Sequence, residues 1–173
     1  GRHKALLDRA RHLSTTARVG ADYDHDAVGY NYRMTNLQAA VGCAQMELLD
    51  RFVAAKRRIA ARYDAAFADL PRVGRFPAAP WAASACWFSG LVLPADHADK
   101  TAGIRAALRG NQIDARPFWK PMQLQAPYRD APRTATPYTD GLWPRVLTLP
   151  CSTQLTAEDQ DYVIAATRAA VMA

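Results

Sequence analysis

The sequence predicts an α+β fold, in which a long amphipathic helix leads into a small domain of short strands and helices. Three observations predict it. Apolar residues recur at steps of three and four from Leu37 to Leu70, short runs of strand-forming residues stop at prolines beyond Cys86, and Thr156 with Asp159 three positions on marks the head of a closing helix. A chain of 173 residues with 50% hydrophobic content can bury one sizeable core and holds no more than about two domains.

Taken in order, Leu6, Leu7, Ala10 and Leu13 share one face between His3 and Leu13 and predict a short amphipathic helix. Ser14 to Asp26 is polar, with Ser, Thr, Gly and Asp, and is expected to be a loop held by other parts of the protein or by a partner. Thr35 or Asn36 is the expected N-cap of the long helix. Its stripe runs through Leu37, Val41, Ala44, Leu48, Phe52, Ala55, Ile59, Tyr63, Ala66 and Leu70, about nine turns. Ala40, Met46 and Val53 on the opposite side imply that its first half is covered from several directions. Pro71, Pro77 and Pro80 end the helix, because proline has no amide hydrogen to give its interior.

Trp87 to Leu93 reads as a strand stopped by Pro94, Asp99 to Arg109 as a helix, and Ile113 to Arg116 as a short strand before Pro117. Five prolines from Pro121 to Pro144 punctuate a long irregular region of the kind that usually carries function. Val146 to Leu149 is the last strand and Thr156 to about Val171 the last helix.

Composition narrows the function. No apolar run approaches the ~20 residues that span a bilayer, so a soluble, cytoplasmic protein without a membrane partner is expected. The net charge is +6, but arginines are spread from Arg2 to Arg168 and interleaved with acids, so no nucleic-acid partner is expected either. Cys43, Cys86 and Cys151 are far apart and unpaired in number, which points to free thiols. His3, His12, His25 and His97 have no metal-ligand spacing, so no metal is expected. No Gly-rich phosphate loop and no Gly-x-Ser-x-Gly elbow occurs. The chain opens on Gly1 and passes into a helix with no preceding strand, as a sequence whose beginning is missing would.

Two segments carry polar chemistry. Gly29-Tyr30-Asn31-Tyr32-Arg33-Met34-Thr35-Asn36 places donors at the head of a helix, where amides and the macrodipole favour an anion. Asn31 adds a neutral donor and Arg33 a forked cationic one. On their chemistry alone these residues favour the plainer reading, in which Asn31 caps a turn and Arg33 pairs with a carboxylate such as Asp26. The second segment, Arg116 to Gln125, combines Phe118, Trp119, Lys120, Gln123 and Gln125 between prolines. Its rings could cover a planar or sugar ligand while Lys120 meets a phosphate, or they could plug the core of the small domain.

Arg9 to Thr15, Gly29 to Asn36 and Leu37-Gln38-Ala39-Ala40-Val41-Gly42, with Arg116 to Gln125, Leu147 to Thr153 and Leu155 to Gln160, together resemble the DegT/StrS-type sugar-nucleotide aminotransferases of fold type I. The resemblance covers nearly the whole chain in order. Trp119-Lys120-Pro121-Met122 is most similar to members acting on 4-keto-6-deoxy nucleotide sugars. It implies a few-stranded, mainly antiparallel sheet with helices in the small domain, a division into the end of a large domain at 1–50 and the small domain at 51–173, and a homodimer with a shared active site. It also implies pyridoxal 5'-phosphate as cofactor, glutamate as amino donor and a keto-sugar nucleotide as acceptor.

Carried over position by position, the resemblance makes Asn31 a ligand of the neighbouring subunit's cofactor phosphate. Arg33 would bind a substrate carboxylate or phosphate, and Tyr30, Trp119, Lys120 and Gln123 would line the sugar-nucleotide pocket. Gln123 stands where relatives often carry histidine, and it cannot act as acid or base at neutral pH. The lysine that forms the Schiff base belongs upstream of the matched region, so no catalytic residue is expected here and the chain alone should be inactive. Two other readings share these residues: a sugar dehydratase of the same family, and a non-catalytic dimerisation module built on the long helix.

Overall fold

The computed structural model describes residues 3–173. It divides into two compact units, Gly1–Leu49 and Asp50–Ala173. The first is organised by backbone hydrogen bonds and caps, the second by an apolar core.

The first unit contains α1 (Lys4–Ser14), β1 (Arg18–Val19), β2 (Asp24–His25) and α2 (Asn36–Glu47). Arg11 and His12 in the last turn of α1 complement the negative end of its dipole. The segment expected to be a loop held by other parts of the protein is tied to α1 and to Tyr30, and it also folds on itself. β1 and β2 pair antiparallel, Arg18 donates to the carbonyls of Ala21 and Asp22, and its guanidinium lies 4.3 Å from the centre of the Tyr23 ring. Thr35 caps α2 through a full capping box, its hydroxyl accepting from the Gln38 amide while the Gln38 side chain accepts from the Thr35 amide. Among the described hydrophobic residues of this unit only Ala17 is buried, and Leu6, Leu37, Val41 and Met46 are each more than half exposed. Within this chain, then, the first half of the predicted stripe is uncovered.

The predicted nine-turn helix is also interrupted. α2 ends at Glu47 and α3 spans Leu49–Ala66, with Leu48 between them at φ −104° and ψ 0°. That ψ swings the peptide off the helical ladder, and the Leu48 amide folds back onto the carbonyls of Gln45 and Met46. A one-residue interruption leaves the spacing of apolar residues nearly in phase, so periodicity does not reveal it.

The second unit continues with β3 (Gly74–Arg75), β4 (Ser89–Val92), α4 (Thr101–Gly110), β5 (Arg116–Pro117), α5 (Pro137–Leu142), β6 (Val146–Leu149) and α6 (Ala157–Met172). The sheet order is β3-β4-β6-β5 with every pairing antiparallel, as expected. Its centre is the four-pair ladder from Ser89↔Leu149 to Val92↔Val146. Leu91, Leu93, Leu147 and Leu149 meet Ile59, Tyr63, Phe67 and Leu70 from the α3 stripe and its extension, Ile104 and Leu108 from α4, and Val163 from α6. Each such side chain contributes about 1.5–3 kcal/mol on burial. Polar seams join the helices: buried Gln160 donates to the Ile59 carbonyl at 2.9 Å, and Arg168 grips Asp69 with both nitrogens while also reaching the Ala66 carbonyl. Burial pushes the Tyr63 hydroxyl above its ordinary range, and that hydroxyl donates to the Pro150 carbonyl at 2.8 Å.

The strand expected at Ile113–Arg116 lies further on. Ile113 and Ala115 are buried in the core, but the ladder forms at Arg116 and Pro117, where the Thr148 hydroxyl donates to the Arg116 carbonyl. Pro117 fits there because β5 is an edge strand and its missing amide is not needed. Thr156 caps α6 as expected, accepting from the Asp159 amide at 3.0 Å. No helix among the described residues is long and apolar enough to cross a membrane.

A side chain at Gly90 would overlap the Leu147 carbonyl across the central ladder. Gly90→Ala should therefore cost about 3 kcal/mol or more in urea denaturation, and a change within 0.5 kcal/mol would refute the tight approach. The guanidinium hydrogen bonds of Arg168, Arg72 and Arg116 hold the carboxyls of Asp69, Asp96 and Asp114 below the usual range. A depressed folded value stabilises above the unfolded pKa of about 4 and is lost as pH falls through the folded value. The melting temperature should thus decline below about pH 4, and less steeply in Asp69→Asn; parallel acid profiles would show that the Asp69 pair does not contribute.

Candidate functional site

The Tyr30–Tyr32 segment is zipped to the end of α1. The Tyr30 amide donates to Leu13 at 2.7 Å, the Thr16 amide to Tyr30 at 3.1 Å and the Tyr32 amide to Ser14 at 3.0 Å, which makes Thr15↔Asn31 an antiparallel bridge. In such a bridge the residue between the bonded neighbours turns its own amide and carbonyl outward. Asn31 is that residue. Its side chain is exposed and has no hydrogen-bond partner among the described residues, so its donors are unspent. Tyr30 and Tyr32 stack with centroids 5.4 Å apart, as side chains two apart on an extended segment do. Gly29 makes the approach possible, since a Cβ there would run into the backbone of Thr16 and Ala17.

Thr16 and Ala17 pay for this crossing with left-handed backbones, at φ 67° and 53°. Arg33 is exposed, and its guanidinium also lacks a partner among the described residues. The suggested Arg33–Asp26 pair does not form. Asp26 instead meets His12 Nε2, a hydrogen bond that holds the Asp26 carboxyl below its ordinary range, while His25 Nδ1 sits 2.7 Å from the Thr16 carbonyl. The two histidines thus tie Asp26 to α1 and β2 to Thr16.

In the second unit the Arg116–Gln125 loop leaves the sheet edge carrying Phe118 and Trp119. Neither ring enters the main core. Trp119 is 60% exposed and lies 5.4 Å from Trp87 and 5.1 Å from Phe88, while Phe118 meets Phe76 and Phe88 edge-on. Trp143 anchors the loop by donating its indole hydrogen to the Phe118 carbonyl at 3.0 Å. A cavity of about 350 Å³ opens between Phe76, Phe118, Trp119, Pro121, Leu142 and Trp143. It suits an apolar or planar group.

Lys120 is exposed, with no partner for its ammonium among the described residues. Gln123 is committed differently. Its amide nitrogen donates to Thr136 at 2.8 Å and to Asp140 at 2.9 Å, and its carbonyl accepts from Arg133, so it ties the loop to the start of α5. Only its amide oxygen is left for a ligand.

The structure thus groups Tyr30, Asn31 and Arg33 on one turn and Trp119, Lys120 and Gln123 on one loop. Phe76, Phe88 and Trp143 were not picked out from the sequence. Their only signal was an aromatic beside a proline or a strand, which any core residue shares. No group of three His, Cys, Asp or Glu among the described residues could hold a metal ion.

The chain is similar to known proteins in both sequence and fold. EpsN of Bacillus subtilis, whose name describes a pyridoxal phosphate-dependent aminotransferase, is 34% identical over 166 residues, covering 93% of this chain and 42% of its own length. GDP-perosamine synthase of Vibrio cholerae is 34% identical over 153 residues, 84% of this chain and 40% of the relative. The chain thus spans about two fifths of these relatives. Among solved structures, a DegT DnrJ EryC1 StrS aminotransferase from Brucella abortus superposes with a TM-score of 0.77 at 27% identity, over 96% of this chain and 44% of that one. The aminotransferase TlmJ from Streptoalloteichus hindustanus, at 23% identity and a TM-score of 0.84 over 99% of this chain and 46% of that one, shares the fold. The sequence pattern of one family runs through both units, from residue 2 to residue 168, and the chain belongs to that family, the pyridoxal phosphate-dependent DegT/DnrJ/EryC1/StrS aminotransferases.

Proposed function

We propose that this chain is the C-terminal part of an enzyme that moves an amino group from glutamate to a keto-sugar nucleotide of the 4-keto-6-deoxy type. In this reading, residues 1–50 complete a large cofactor domain and 51–173 form the small domain of a cytoplasmic homodimer. The observation that carries it is the Asn31 turn. A residue clamped on both sides by backbone bonds, yet with its own donors unspent, is suited to an anionic oxygen supplied from outside the turn. The exposed apolar residues of α1 and α2 support the same reading, since surface of that kind calls for a covering partner.

The donor set fits a phosphate monoester. Asn31 would hold the phosphate of pyridoxal 5'-phosphate in the neighbouring subunit, and the bound cofactor would supply the electron sink that carries the amino group between substrates. Arg33 would meet the donor's carboxylate or a substrate phosphate with its fork. Tyr30, held by its stack on Tyr32, would set one wall of the pocket. Trp119 would cover the sugar nucleotide and Lys120 would neutralise its diphosphate, while Gln123 keeps the loop in place and offers its remaining amide oxygen to a hydroxyl. No acid–base step falls to Gln123. None is assigned to Lys4 or Lys56 either, whose ammonium groups are engaged by Asp8 and by the Trp87 carbonyl.

In a homodimeric enzyme that carries this chain as its C-terminal part, Asn31→Ala should weaken pyridoxal phosphate binding about tenfold, the worth of one charge-assisted hydrogen bond. Adding glutamate to the unsubstituted enzyme should change the cofactor's visible absorbance. Unchanged cofactor affinity in the variant would remove Asn31 from the site. An absorbance indifferent to glutamate would remove the proposed amino donor.

A further inference from the structure

His12, in the last turn of α1, belongs to a closed circuit of three hydrogen bonds. Its carbonyl accepts from the Ala17 amide at 2.9 Å, the Ala17 carbonyl accepts from the Asp26 amide at 3.2 Å, and the Asp26 carboxylate returns to Nε2 of the His12 ring. A carboxylate only accepts, so Nε2 is the donor and carries a proton. Two of these links are main-chain bonds that any residue could make. Only the His12–Asp26 link depends on the side chains present.

The circuit runs through the one strained stretch of this unit. Thr16 and Ala17 are consecutive left-handed residues, and for a β-branched side chain such as Thr16 that backbone is a marked outlier. Conformations of this kind persist only where the surroundings over-determine them. Ala17 is fully buried but has only a methyl group with which to hold itself. The constraint must come from its neighbours. Thr16 and Ala17 are also where the Asn31 segment is laid down: the Thr16 amide donates to the Tyr30 carbonyl, and Gly29 lies directly against the Thr16–Ala17 peptide. The path of Gly29 to Asn31 thus follows a backbone shape that the circuit imposes.

We propose that His12 is a positioning residue for the cofactor phosphate site: through Asp26 it fixes the left-handed Thr16–Ala17 pair, and through that pair it sets the path on which Asn31 is presented. The proposal rests on the reading of Asn31 given above as a phosphate ligand. His12 itself touches neither cofactor nor substrate. Without its ring the Asn31 amide is still present but has to be ordered as the phosphate binds, so the loss falls on cofactor affinity. The same logic makes the effect depend on Asn31. Once the Asn31 side chain is gone, there is nothing left for His12 to position, and the two losses do not add.

The test uses the homodimeric enzyme that carries this chain as its C-terminal part, with pyridoxal phosphate affinity and amide hydrogen exchange as the two readouts. His12→Ala should weaken cofactor binding about fivefold and speed exchange of the Tyr30 and Tyr32 amides about tenfold. His12→Gln, which keeps an N–H donor near the position of Nε2, should restore both to within about twofold. Adding His12→Ala to Asn31→Ala should weaken the cofactor no further than Asn31→Ala alone. Asp26→Ala removes the other partner of the same bond and should reproduce the loss; it decides the matter if His12→Ala fails to fold by circular dichroism. The proposal is overturned by unaltered exchange at Tyr30 and Tyr32 in a folded variant, by losses that add in the double variant, or by a Gln variant no better than Ala. Unchanged cofactor affinity in Asn31→Ala would strike the reading of Asn31, whereas unchanged affinity in His12→Ala beside a weakened Asn31→Ala strikes the role of His12 alone.

Discussion

The central constraint on the second unit is the approach of β4 to β6 at Gly90, where the Leu147 carbonyl occupies the space a Cβ would need. Both strands are buried along their whole length. One face carries Leu91, Leu147 and Leu149 into the helix-covered core, and on the other Val146 joins Leu142 and Trp143 at the wall of the larger cavity. The irregular 117–145 segment is laid onto this ladder, not onto a layer of its own. Thr148 fixes its start through the Arg116 carbonyl, and Leu93 with Arg145 closes its end through reciprocal backbone and guanidinium bonds. The positions of Trp119 and Lys120 are therefore inherited from the ladder. A change at Gly90 would reach them without touching them.

The order of helices and central strands was legible because burial imposes a period. The stripe Ile59, Tyr63, Phe67, Leu70 follows from helical geometry, and α6 announces itself by the Thr156 cap. Strand ends were less legible, for a physical reason: Ile113 and Ala115 alternate into the core as strand residues do, yet pairing depends on where the partner strand is, and β6 is paired only by Arg116 and Pro117. The break at Leu48 was hidden by the small phase change it causes. The hairpin at Arg18–His25 was hidden because guanidinium-to-carbonyl and cation–π contacts leave no apolar pattern. Of the candidate site, Asn31 and Trp119 could be found through a resemblance. The reasons for their geometry, Gly29 beneath one and Trp143 beneath the other, could not.

The two polar segments show opposite ways of preparing a side chain. The Asn31 turn spends its backbone to free a side chain: three main-chain bonds, two left-handed residues and a glycine contact fix the path, and the Asn31 amide is left without a partner among the described residues. The Gln123 loop spends a side chain to fix its backbone, with the amide hydrogens consumed by Thr136 and Asp140. The first arrangement suits a ligand whose position is set elsewhere, because a preset donor loses little freedom on binding. The second suits a pocket that must keep its shape while its contents vary. Sequence identity between such segments in relatives therefore means different things: at Asn31 the side chain itself, at Gln123 the path of the chain.

Trp119 and Phe118 connect these considerations, since both line two cavities, one almost wholly apolar and one that reaches Asp64 of α3. A ring shared between two cavities cannot be repositioned for one without altering the other. It is held in place by tilted and edge-on contacts with Trp87, Phe88 and Phe76, each worth about 0.5–1.5 kcal/mol beyond burial. Such contacts are strong enough to define a resting position. They are also comparable to what a small ligand gains from a single well-made hydrogen bond, so the aromatic wall is the part of this unit whose arrangement a bound group could bias.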